Sequence, residues 1–159
     1  MDSEPTARER IEAWLTADGW TAEEAASPDA AWLLVAVHPS QIRLQVGQKT
    51  EHPQILILQA SVSLSEEHRQ QLEALAPSLR AAVLWDLRID LLRSGFEFDG
   101  LGEPLDRVRL HRRLFVEDLT RTGFLERVDA LRHLVLLVIT RVSRALAEPG
   151  AAPAFDRVH

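Results

Sequence analysis

The spacing of apolar residues changes several times along the chain, and each change marks an element. Ile11, Trp14 and Leu15 form one stripe at helical spacing. Thr6-Ala-Arg-Glu9 has the spacing of a capping box and Gly19 stands where a helix-ending glycine belongs, so a helix is predicted over 6–18. Trp20 follows the turn directly and is expected to pack under that helix. Ala30 to His38 is a short, nearly continuous apolar run closed by Pro39, as in a central strand. Ile42 to Val46 alternates apolar with polar, so one face is buried and one wet. After a polar, turn-rich stretch from Gly47 to Pro53, Ile55 to Val62 makes a third strand. Three strands joined by connections of a few residues predict an antiparallel meander.

Ser63-Leu-Ser-Glu66 offers a second capping box, and Leu72, Leu75 and Leu79 continue a helical stripe. Proline inside a straight helix costs about 3 kcal/mol, so Pro77 is expected to open a new helix as its first residue, after a kink. The stretch that follows, 78–93, is apolar on two flanks. Val83, Leu84, Leu87 and Leu91 lie on one, and Trp85, Ile89 and Leu92 on the other, with Asp86, Asp90 and Arg88 between. A surface helix needs one apolar stripe, so the second flank calls for a second cover, either another copy of the chain or the C-terminal helix. From Phe96 the period drops to two, giving a strand at 96–99, a turn at Gly100–Pro104 and a strand at 108–116. Arg112 falls on the apolar side of that last strand, which is expected to be bulged or at an edge. The last helix begins at Thr120 or Thr122 and runs to about Leu146. These elements predict an α+β fold, an antiparallel sheet of about five strands in the order α-βββ-α(kinked)-ββ-α. It forms a single domain over 1–147 with a loose tail at 148–159.

Composition narrows the function classes. The 159 residues are 46% apolar and 26% charged, the balance of a soluble globular domain. The longest apolar run, Leu134 to Ile139, is far short of a membrane span. The start, MDSEPTARER, lacks the basic and apolar regions of an export signal, and with no cysteine disulfides and thiolate metal sites are excluded. A cytoplasmic protein is expected. The net charge of −6 comes from the first half: residues 1–80 hold twelve acids and six bases, and 81–159 twelve of each. That sign disfavours nucleic acid and anionic membranes as partners. Of the eighteen bases all but Lys49 are Arg, a compositional bias that argues against reading arginines as phosphate ligands.

Few residues suggest chemistry. Asp86 and Asp90, one helical turn apart, could share a metal or a proton, but no HxH, HExxH or calcium-loop pattern accompanies them. The plainer expectation is a solvated line with Arg93 near Asp90, and no metal or cofactor. Arg107, Arg109, His111, Arg112 and Arg113 form the one basic concentration. On a strand Arg109, His111 and Arg113 point one way, a candidate polar contact face for an acidic peptide or phosphate, or simply a charged exposed strand that resists edge pairing. His38, His52, His68 and His133 have no Ser or Asp at catalytic spacing, and Gly100-Leu-Gly102 lacks the rest of a phosphate loop. Of the tryptophans, Trp14, Trp20 and Trp32 are expected in the core. Trp85, with Ile89 and Leu92, is the candidate dimer or partner interface.

This element order, together with the doubly apolar helix at 78–93, resembles the type III secretion chaperone-like fold over residues 6–146. Class I secretion chaperones share that fold with YbjN-like and other uncharacterised bacterial and archaeal families, and the latter are the closer likeness. The resemblance implies a dimer formed through the 78–93 helix and capture of an extended partner segment. The reading favoured on these grounds is a non-catalytic, homodimeric protein- or peptide-binding module. Its rivals are an enzyme or small-ligand protein with a site near Asp86, Asp90 and the 107–113 strand, and a subunit that docks its apolar flank into a larger assembly.

Overall fold

Thr6 sets the first helix in the computed structural model, which describes residues 4–147. Its hydroxyl accepts from the Glu9 N–H at 3.3 Å, and its own N–H donates to the Glu9 carboxylate at 2.8 Å. That backbone bond, then the bond from the Thr6 hydroxyl, holds the Glu9 carboxyl below the ordinary carboxylate range. The helix, α1 (Ala7–Ala17), ends as expected at Gly19, whose φ is +88°. Trp20 is then buried, edge-on to His38 with 4.9 Å between the ring centres.

The strands are β1 (Thr21–Glu24), β2 (Ala30–Val37), β3 (Arg43–Lys49) and β4 (Ile55–Ser63). After them come α2 (Glu66–Glu73), α3 (Pro77–Ser94), β5 (Glu97–Asp99), β6 (Arg107–Phe115), a short 3-10 turn at Val116–Asp118 and α4 (Arg121–Ala147). The strands form one open antiparallel sheet in the order β1-β2-β3-β4-β6-β5, so the fold is α+β and the meander forms. It has six strands against the five expected, because β1 is a strand by pairing alone. Thr21–Glu24 carries no apolar alternation, yet it pairs with Val37–Leu34 along its full length. β3 likewise runs on through Gly47, Gln48 and Lys49, read as turn. Its polar end is held by Trp32, whose indole N–H donates to the Gln48 side chain at 2.8 Å.

The chain divides into two compact units, one of Met1–Ala60 with His111–Arg132 and the other of Ser61–Leu110 with His133–His159. In the first, Leu34, Leu44, Val46, Leu56 and Leu58 bury one face of the strands. Ile11 and Leu15 of α1 and Phe124 of α4 are also buried there, with Trp14 beside Phe124 at 6.0 Å between ring centres. In the second, Leu87 and Leu91 of α3, Val108 and Leu110 of β6 and Val138 of α4 are fully buried. No polar or charged residue among those described is buried.

Two local expectations are corrected. The cap of α2 is Ser65, whose hydroxyl accepts from His68 N–H at 3.2 Å, and not Ser63. Ser63 ends β4, where its hydroxyl accepts from Arg107 Nε at 3.0 Å. β6 lies between β4 and β5, so it is not an edge. Its inward positions Val108, Leu110 and Leu114 stay in phase, with Arg112 half-buried between the last two. Pro77 opens α3 as expected, and the expected tail at 148–159 lies outside the described residues.

Candidate functional site

Helix α3 separates its two flanks as the sequence periodicity requires. Leu87 and Leu91 are fully buried, and Val83 and Leu84 are half-buried beside them. On the other flank Trp85 is 61% exposed and Leu92 67%, with Ile89 half-buried. The Arg88 guanidinium lies 5.6 Å from the centre of the Trp85 ring, a cation–π contact on the solvent side. The C-terminal helix therefore does not cover Trp85 and Leu92, which answers one of the two alternatives for that flank. Helix α4 itself leaves Leu136 and Ile139 at 40% and 45% exposure.

The paired aspartates do not form the solvated line expected of them. Nη2 of Arg141 on α4 lies 2.7 Å from the Asp90 carboxylate, whose side chain is only 14% exposed. Asp86 is half-buried on the same side of α3. No group of three or more potential metal ligands occurs among the described residues.

The basic strand splits into separate local contacts. Arg107 is bonded to Ser63, and Arg109 faces Asp99 of the neighbouring strand at 3.8 Å. Arg109 and Arg113 are exposed, His111 and Arg112 half-buried, and Phe115 is 48% exposed at the strand's end. Of the histidines, His38 accepts at Nδ1 from the Ser40 N–H at 3.1 Å and caps the tight β2–β3 turn. The backbone N–H of His68 belongs to the cap of α2.

One feature has no counterpart in the sequence reading. Leu72 and Glu73 of α2, Val83 and Leu84 of α3 and the turn Glu103-Pro104-Leu105 wall a cleft of about 380 Å³, with Arg69 and Arg80 at its rim. Arg80 builds it. Nη1 donates to the carbonyls of Glu73 and Leu75, both at 2.8 Å, closing the end of α2 against the start of α3. Nε reaches Glu103 at 3.3 Å and brings in the turn. Arg69 is bonded to Asp106 at 2.9 Å and to Glu66. The residues that meet here are up to 37 positions apart, and no local pattern announces their meeting.

An open six-stranded antiparallel sheet with interspersed helices defines an α+β fold, and α3 carries an apolar flank that is exposed at Trp85 and Leu92. The chain belongs to the family of uncharacterized conserved proteins DUF2299, whose model matches residues 7–142. It is also similar to an uncharacterized protein from Methanothermobacter thermautotrophicus, known as a crystal structure. The two share 20% identity with a TM-score of 0.81, over 89% of this chain and 99% of that one, a likeness of fold. The expectation of an uncharacterised family is met. No curated protein matches the chain. Among the described residues no helix is long and apolar enough to cross a membrane.

Proposed function

We propose that the chain is a non-catalytic, chaperone-like protein-binding module that works as a homodimer, with the outer flank of α3 as the contact between copies. The observation that carries this is the exposure of Trp85 and Leu92, at 61% and 67%, on a helix that already buries Leu87 and Leu91 on its other flank. Contiguous exposed apolar side chains with a polar rim mark interaction surfaces. Withdrawing Trp85 from water removes on the order of 100 Å² of apolar surface, about 3 kcal/mol, and a twofold axis counts it twice. The flank is also self-complementary. Trp85 and Leu92 lie two helical turns apart with Arg88 and Ile89 midway. Two α3 helices crossing antiparallel about that midpoint would set each Trp85 against the other copy's Leu92. The likeness to secretion chaperones in element order supports the same reading and adds an extended partner segment as the cargo.

A ligand site built from Asp86, Asp90 and the basic strand draws less support, since Arg141 engages Asp90 and Asp99 faces Arg109.

Light scattering over a concentration series tests the proposal. The wild-type chain should have twice the protomer mass at tens of micromolar, and Trp85→Glu and Leu92→Glu should be monomers with unchanged circular dichroism. A wild-type monomer across the series overturns it, as does a dimer that survives both substitutions.

A further inference from the structure

We propose that the cleft between α2, α3 and the 103–105 turn anchors a segment of a partner protein that presents an apolar side chain next to a basic one; this rests on the protein-binding reading above and names where the partner is held. At about 380 Å³ the cleft is in the size range of evolved ligand sites, and its lining is more apolar than polar. Leu72 and Leu105 form a buried floor, and Val83, Leu84 and Pro104 the sides. Glu73, Glu103 and Pro104 of the lining are exposed, so a guest side chain can reach the cleft from solvent.

Charge selects the guest. Both rim cations are already engaged, Arg80 with Glu103 and Arg69 with Glu66 and Asp106. Their role is to hold the walls together. The Glu73 carboxylate, by contrast, has no hydrogen bond or ion pair among the described residues. Glu103 pairs with Arg80, and Glu66 and Asp106 share Arg69, so among the lining charges the surplus is the Glu73 carboxylate. An anionic guest would meet that surplus. A purely apolar guest would begin to dehydrate Glu73 with nothing in exchange. An apolar group with a cation beside it satisfies both the floor and the rim, which is how a groove combines affinity with selection.

Three capped, alanine-based peptides test this, alike except at the centre: Leu-Leu-Lys, Leu-Leu-Glu and Ala-Ala-Lys. Each is titrated into protein with labelled methyl groups. The Leu-Leu-Lys peptide should shift the methyl signals of Leu72, Val83, Leu84 and Leu105 saturably. The Leu-Leu-Glu peptide should bind about threefold to fivefold more weakly, the scale of one exposed ion pair. The Ala-Ala-Lys peptide should leave those methyls in place. In Glu73→Gln the preference for Lys over Glu should vanish while leucine-dependent binding persists. No saturable shift, equal binding of the Lys and Glu peptides, or a preference that survives Glu73→Gln overturns the assignment. The titration is repeated on Trp85→Glu, where the same shifts are expected and their loss would also overturn it. A monomeric wild type that still binds the Leu-Leu-Lys peptide defeats the dimer and leaves the cleft standing.

Discussion

Losing either member of the Arg141–Asp90 pair should destabilise the protein, by unequal amounts, and losing both should cost less than the two losses added together. Nε and Nη2 of Arg141 both reach Oδ2 of Asp90, at 2.9 and 2.7 Å, with side-chain exposures of 26% and 14%. Opposite charges about 4 Å apart attract by about 4 kcal/mol at an effective dielectric of 20, and desolvation cancels much of that. Arg141→Leu strands the less exposed partner, an aspartate with little access to water, and should cost about 3 kcal/mol. Asp90→Leu leaves a guanidinium on a long stem that can swing toward solvent, for about 1.5 kcal/mol. The double substitution puts leucine against leucine and should cost about 2 kcal/mol, a coupling of about 2.5 kcal/mol. Urea unfolding of the four proteins, followed by tryptophan fluorescence, closes the cycle. A coupling below about 0.5 kcal/mol, or an Asp90→Leu protein weaker than Arg141→Leu, would refute the reasoning.

Two further substitutions test the packing. Gly100 has φ +88°, and a Cβ there would sit 2.0 Å from the Arg107 carbonyl oxygen. Gly100→Ala therefore adds a backbone clash to the left-handed penalty of about 1–2 kcal/mol, and its urea midpoint should fall by the equivalent of at least about 3 kcal/mol; a loss below about 1 kcal/mol counts against the β5–β6 turn as described. Leu91 is fully buried and its neighbour Leu92 67% exposed. Leu91→Ala should cost about 2–5 kcal/mol of stability without changing association, whereas Leu92→Ala should cost under about 1 kcal/mol within the protomer and weaken self-association instead.

What could be read from the sequence was whatever is written locally. Thr6 and Glu9 meet within one turn, and Pro77 can only open a helix, so both ends came out as expected. The alternation of Val108, Leu110 and Leu114 gave the inward face of β6. What depends on a distant partner could not be read. β1 is a strand because β2 runs beside it, and the end of β3 because Trp32 holds Gln48. Ser63 had the right spacing for a cap, but Arg107, 44 residues away, takes its hydroxyl. The cleft is the extreme case, since Arg80 makes it by bonding backbone carbonyls, and carbonyls leave no trace in residue type.

The second flank of α3 shows how one distant contact settles a question that periodicity leaves open. Trp85 precedes Asp90 by five positions and Leu92 follows it by two. At about 100° per residue, Trp85 then lies about 140° around the helix from Asp90, and Leu92 about 160°. Arg141 binds Asp90 and so fixes the side of α3 along which α4 runs. A helix held there lies nearly opposite Trp85 and Leu92 and cannot also cover them. Ile89, about 100° from Asp90 on the near side, is half-buried, while Trp85 and Leu92 are exposed. The ion pair that anchors the last helix thus lies on the side of α3 away from the tryptophan flank, which stays exposed to solvent.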